Sequence, residues 1–298
     1  YLGSRAAFRT TDNMSRMQES GRYALDAMSR EVRMAGYVGC GNLQSATVNT
    51  IANPPVPVMS SATAVTGQDF TAAAANFLGT TITRPAGDTL SLMGAFGGGV
   101  PLVGNLVPSN ANIQIAGNPY GFAVGDVLMV TDCKNADIFR PTSISNAGGV
   151  TMAHGNSTNT GNRVGNYGPD GIVFKMQQFT YFIGINPTTN NRALYRTELT
   201  TGVPQGTQEV VEHVEDMQIT YGLDTNGDRA VDAYASATGV ANWAQVVSVR
   251  ISLLVASPEN NITTSNQRYI FNNAAVNALD NRMYQTFTAT IGVRNRLP

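Results

Sequence analysis

The chain predicts an α+β fold in which one long amphipathic helix leads into a mainly antiparallel β head. Apolar and small residues recur at helical spacing up to residue 36, and two segments near the C-terminus alternate with a period of two. Turn-forming Gly, Asn, Thr and Pro are scattered between them. A single helix set apart from many strands argues against βαβ units and a parallel sheet.

The helix comes first. Met14, Met17, Gly21, Ala24, Leu25, Met28, Val32 and Ala35 fall on one face, and Arg16, Glu19, Arg22, Asp26, Arg30 and Arg33 fall on the other. Gly36 follows the last periodic residue, where a left-handed residue commonly ends a helix. Thr11, Asp12 or Ser15 would serve as an N-cap, yet Leu2, Ala6, Ala7 and Phe8 carry the helical pattern further upstream, so the helix is expected to run through them.

Helical signals fade after Cys40. Residues 41–121 read as loop-heavy, with short strand-like runs at 80–84 and 89–93. Stronger strands are expected at 126–131, 172–185, 193–198 and 214–221, where β-branched and aromatic residues concentrate. Val247, Val249, Ile251, Leu253 and Val255 then alternate with Ser248, Arg250, Ser252 and Leu254, and Phe287, Ala289, Ile291 and Val293 repeat the pattern. No repeat or linker divides the remainder, so the expected organisation is a helix over 1–36 and one β-rich head over 37–298.

Composition narrows the function. Charged residues make up 13% of the chain and the net charge is -1, so no clustered basic face is available for nucleic acid. No run of 18 or more apolar residues spans a membrane. Cys40 and Cys133 lie too far apart for a zinc pair and read as a disulfide, with two buried thiols as the alternative. The bridge would close a loop of roughly 93 residues and contribute about 4–5 kcal/mol in the chain-entropy picture. The low charge and abundance of Asn, Thr and Gly suit an oxidising, extracytoplasmic setting.

Chemistry is sparse. Of the two histidines, His154 reads as a solvated loop residue and His213 as a surface residue whose same-face partner is Glu215. Nucleophile-elbow, zinc-helix and Cys-x-x-Cys signatures are absent. One constellation stands out: Asp224, Asn226, Asp228, the Ala230 carbonyl and Asp232 recur at every second position, as in a loop that offers oxygens to Ca2+. Arg229 and Ala235 stand where such a loop would carry its Gly and its bidentate Glu, and a hairpin loop closed by Asx turns is the competing reading.

The segments LGSR at 2–5, SRMQESGRYAL at 15–25 and RMAGYVGC at 33–40 resemble the PilW-type minor pilins of type IV pili. VTDC at 130–133, YGLD at 221–224 and TATIGVRNR at 288–296 resemble the same family, whereas residues 43–122 match nothing recognisable in it. The resemblance implies a type IV pilin-like fold, a leader and an apolar helix half upstream of Tyr1, and inner-membrane anchoring through that half. It also implies other minor pilins, the major pilin and a tip-associated adhesin as partners, with the chain facing the periplasm before assembly and lying in an extracellular pilus afterwards. The expected function is therefore a structural subunit that primes or caps a pilus, and not an enzyme. Alternatives are a tip module that binds a ligand through residues 43–122, with or without Ca2+, and a J-type pseudopilin of type II secretion.

Overall fold

A computed structural model of the chain describes residues 2–39, 43, 46–146, 149–200 and 203–296. Helix α1 spans Leu2–Met34 and so includes the upstream turns. It ends as the glycine signal predicts: Gly36 adopts φ +74°, its N–H donates to the Met93 carbonyl at 2.8 Å, and Asn295 Nδ2 donates to the Ala35 carbonyl at 3.0 Å. Two orphan groups at the helix end thus find partners on the head.

The helix lies on a four-stranded antiparallel sheet made of the strands Ala233–Ala235, Val214–Leu223, Val246–Ala256 and Tyr284–Gly292, in that spatial order. Met217, Ile219 and Tyr221, then Val249, Ile251, Leu253 and Val255, turn inward onto Met17, Ala24, Met28, Val32 and Ala35 in one apolar cluster. Alternation with period two explains why Gln218, Thr220, Arg250, Ser252 and Thr288 face away. The helix also touches the strands Gly87–Ala95 and Val203–Glu212, so it sits where two sheets meet.

The second, larger sheet is organised by the 14-residue strand Ile172–Ile185. Its first part pairs with Leu128–Thr131, and its later part lies between Gly87–Ala95 and Arg192–Thr200. Around that first part both faces are buried. Leu128, Val130, Phe139 and Val173 pack into one cluster, while Met129, Ile138, Phe174 and Met176 pack into another. Unbroken apolar runs such as 128–130 follow from this double burial. Pairing is antiparallel throughout, apart from Thr47–Thr50, which runs parallel to Asn135–Phe139. A three-stranded sheet of Asn112–Ile115, Val150–Ala153 and Ser143–Ser145 and a hairpin of Arg268–Phe271 with Ala274–Asn277 complete the head.

Several expectations change here. Residues 41–121 contain the strands Thr47–Thr50, Val65–Phe70, Gly87–Ala95 and Asn112–Ile115, and their apolar residues enter three of the clusters. Thr47–Thr50 and Asn112–Ile115 alternate in burial, but four residues give too few periods to stand out, whereas Gly87–Ala95, of which the run 89–93 was expected, is buried on both faces and shows no alternation. Residues 80–84 form no strand; only Thr83 and Arg84 make isolated bridges, and the Arg84 guanidinium lies 3.8 Å from the centre of the Phe70 ring. Val203–Glu212 is an additional strand that pairs with Arg192–Thr200.

Met28 is fully buried against both sheets, so Met28→Ala should cost about 2–5 kcal/mol in denaturant unfolding. Met14→Ala, at an exposed position, should change stability by no more than about 0.5 kcal/mol.

Candidate functional site

The seat of α1 on the head decides which helix residues are buried and which are left free. Of the predicted stripe, Met17, Gly21, Ala24, Met28, Val32 and Ala35 are buried. Met14 is not: it is 45% exposed, and Asn13, four residues before Met17, takes the inward position at 1%. The stripe drifts across the helix at 3.6 residues per turn, which carries Met14 past its edge. Asn13 is satisfied there, with Nδ2 donating to the Arg9 carbonyl at 2.9 Å and Oδ1 accepting from the Glu259 N–H at 3.1 Å.

Gly21 marks the closest approach. A Cβ at this position would lie 2.5 Å from the Phe287 ring, so only glycine lets that ring lie directly on the helix. Just under one helical turn after Met28 comes the seat's main polar contact. Glu31 accepts from the Tyr181 hydroxyl at 2.8 Å and pairs with Arg196 at 2.9 Å, and the Arg196 guanidinium lies 3.4 Å from the centre of the Phe179 ring. Burial, reinforced by the Glu31 carboxylate, pushes the Tyr181 hydroxyl well above its ordinary pKa, so it stays a donor. Sequence reasoning missed Glu31, although a carboxylate between Met28 and Ala35 at stripe spacing is a signal for a buried partner. Arg296 was quoted only as part of a terminal motif. It is buried, donates to the Trp243, Val246 and Ser61 carbonyls, and is pushed down to about 10 by burial.

The acidic loop lies elsewhere, between the strands Val214–Leu223 and Ala233–Ala235. Asp224 accepts from the N–H groups of Gly227 and Arg229 at 2.6 and 2.8 Å. Asn226 accepts from Asp228 N–H, Asp228 from Ala230 N–H, and Asp232 from Thr225 N–H. Arg229 takes φ +67°, where a glycine would be easier. No three His, Cys, Asp or Glu side chains among the described residues gather closely enough to hold a metal ion. Asp224, Asp228 and Asp232 accept from the loop's own N–H groups, the arrangement of a hairpin loop closed by Asx turns.

Both histidines depart from expectation. His154 is fully buried and tilted against Phe139 with ring centroids 5.6 Å apart. It continues the inward alternation of Val150 and Met152, which could have revealed it. His213 sits at φ +58° in the tight turn between two strands, near Glu212 at 3.8 Å, because Glu215 is taken by Arg282 at 2.6 Å. Burial lowers the pKa of both rings. Cys40 lies outside the described residues, and the expected bridge to Cys133 is taken up below.

The two sheets meet at Asp88, whose Oδ2 accepts from the Ile219 N–H at 2.7 Å. Burial, together with nearby Asp69 and Asp216, pushes this carboxyl up to about 7.

With this geometry in place, residues 180–295 match the PilW family, described as Type IV pilus-assembly protein W. This bears out the resemblance read from the sequence, but over the C-terminal sheet and its flanks and not over the first 40 residues. A type IV-like pilin from Thermus thermophilus aligns over 97% of this chain and 98% of its own, at 10% identity and a TM-score of 0.36. No curated protein matches the chain.

Two outcomes test the site. Because the folded-state pKa of Asp88 lies above the unfolded carboxylate value of about 3.9, folding favours the protonated form, and the stability this gives is lost as pH rises through about 7. Asp88→Asn should therefore be more stable than the parent at pH 8 and lose that advantage toward pH 4, as followed by urea midpoints. Titration calorimetry with Ca2+ should show no heat assignable to the loop; heat abolished by Asp228→Ala would restore the cation.

Proposed function

We propose that the chain is a structural minor pilin that primes or caps a type IV pilus by packing against other minor pilins. The observation that carries this reading is the split character of α1. From Asn13 onward its inward face is taken up by the head, whereas residues 3–9 are exposed and Phe8 is 74% exposed. Arg9 reaches across to Glu259 on the head, so residues 3–8, six residues at about 1.5 Å each, give roughly 9 Å of helix free of it. An apolar side chain on such a projecting helix suits helix–helix packing with neighbouring subunits. The PilW match supports the same reading from the opposite end of the chain. Other minor pilins, the major pilin and a tip-associated adhesin are the proposed partners, with a periplasm-facing state preceding an extracellular one. Nothing in this role asks for catalysis.

The Cys40–Cys133 disulfide belongs to the proposal. Thr131 Oγ1 donates to the Val38 carbonyl at 3.1 Å, which sets residues two positions before each cysteine side by side. A bridge there would tie the end of α1 to the larger sheet and place folding in an oxidising compartment.

Phe8→Glu, in the full chain co-expressed with minor pilins, should lower partner recovery by about tenfold while leaving the melting temperature unchanged, since Phe8 touches no core. Undiminished recovery would count against the helix as the assembly surface. Cys133→Ser should destabilise by up to about 4–5 kcal/mol, and thiol labelling of the denatured, unreduced parent should find no free cysteine.

A further inference from the structure

The outward face of the four-stranded sheet is not flat. The hairpin Arg268–Phe271/Ala274–Asn277 folds over it, held by Thr286 Oγ1 donating to the Ile270 carbonyl at 2.9 Å, and encloses a groove of about 280 Å³. Gln218, Ser252 and Thr288 form one row of its floor, with the Ser252 and Thr288 hydroxyls 2.9 Å apart, and Asn272 and Asn273 close its rim. Both asparagines have positive φ, 49° and 58°, which fixes the tight turn that carries them.

Arg250 is the single charged residue of the lining. Its Nε donates to Thr290 Oγ1 at 3.2 Å and its guanidinium lies 3.9 Å from the centre of the Tyr234 ring. These contacts hold the plane in place, while among the described residues no ion pair or hydrogen bond engages its two terminal nitrogens. An immobilised guanidinium with its terminal nitrogens open is preorganised for one carboxylate taken bidentately.

We propose that this groove binds the acidic sugar of a surface glycan, a sialic or uronic acid whose carboxylate meets Arg250. One guanidinium balances one carboxylate, whereas a phosphate dianion or a run of acidic residues in a peptide would call for several cations. The rest of the lining supplies amides and hydroxyls, which match a ligand bristling with hydroxyls. Ile270, 70% exposed on the hairpin, offers an apolar surface to the C–H face of a sugar ring. The volume lies just below the usual range for small-molecule sites, roughly 300–1,000 Å³, and so suits one sugar residue. The inference stands apart from the pilus reading, because it uses only the face turned away from α1.

Chemical-shift titration of the full chain with N-acetylneuraminic acid and with glucuronic acid tests it. At least one acid should bind with Kd on the order of 1–10 mM, and glucose should bind at least about tenfold more weakly. Arg250→Gln should weaken the acid by about tenfold or more, and Asn272→Gly, which keeps the positive φ of the turn while removing the amide, should also weaken it, neither variant changing the melting temperature appreciably. The proposal is overturned if neither acid shifts resonances of the groove at about 50 mM, if Arg250→Gln binds as well as the parent, or if a tri-glutamate peptide binds as tightly as the sugars. A glycan array should then show binding confined to glycans ending in the preferred acid; binding only to the free sugar would overturn the glycan assignment.

Discussion

Removal of the α1 stripe from water is the constraint on which the fold depends. Met17, Ala24, Met28, Val32 and Ala35 touch strands from both sheets, so the first elements of the chain and the last ones form a single cluster. An isolated helix of this composition, with Gly21 and several Ser and Thr in its middle, would be marginal in water. Burial of each larger side chain supplies about 1.5–3 kcal/mol, and this tertiary term is what keeps the helix formed.

Apolar burial alone leaves the helix free to slide or rotate, and the polar contacts remove that freedom. Glu31 and Arg196 are both about one-fifth exposed, and their pairing is completed by the Tyr181 hydroxyl. Its net contribution to stability is small, because desolvation offsets the attraction, yet loss of one partner would strand the other at a cost of roughly 3–5 kcal/mol. A shifted helix would incur that cost. The Arg9–Glu259 pair, half exposed on both sides, is screened by water and sets little. Position along the axis is therefore fixed by Glu31, by Asn13 against Glu259, and by Asn295 at the helix end, while Gly21 under Phe287 fixes the rotation.

What the sequence disclosed follows the same division. The helix, its stop at Gly36 and three strands of the four-stranded sheet, Val214–Leu223, Val246–Ala256 and Tyr284–Gly292, were legible because each has one dry and one wet face, whereas the three-residue Ala233–Ala235 was not. The strand Ile172–Ile185 was legible through its length and its β-branched and aromatic content. Thr47–Thr50 and Asn112–Ile115 were not, since four residues give too few periods to distinguish from loop. Partners distant in sequence were also hidden: nothing local connects Glu31 to Arg196 or His213 to its turn. The oxygens at 224–232 were read correctly as a pattern, but a pattern of Asp and Asn at every second position is as well explained by N–H groups to be capped as by a cation to be held.

The two faces of the C-terminal sheet carry opposite burdens, and that opposition links structure to role. Its inner face is committed to the helix, and every residue there answers to packing. Its outer face is covered in part by the hairpin Arg268–Phe271/Ala274–Asn277, and Gln218, Arg250, Ser252 and Thr288 line the groove left beneath it, free of the packing demand of the inner face. The same holds for α1, whose later turns are bound to the head while its first turns project. In the proposed role the chain would join an assembly through the projecting helix without disturbing the outer sheet face, because the buried helix seat separates the two free surfaces. Changes on the outer sheet face should therefore alter recognition without altering assembly, whereas changes in the stripe should abolish both.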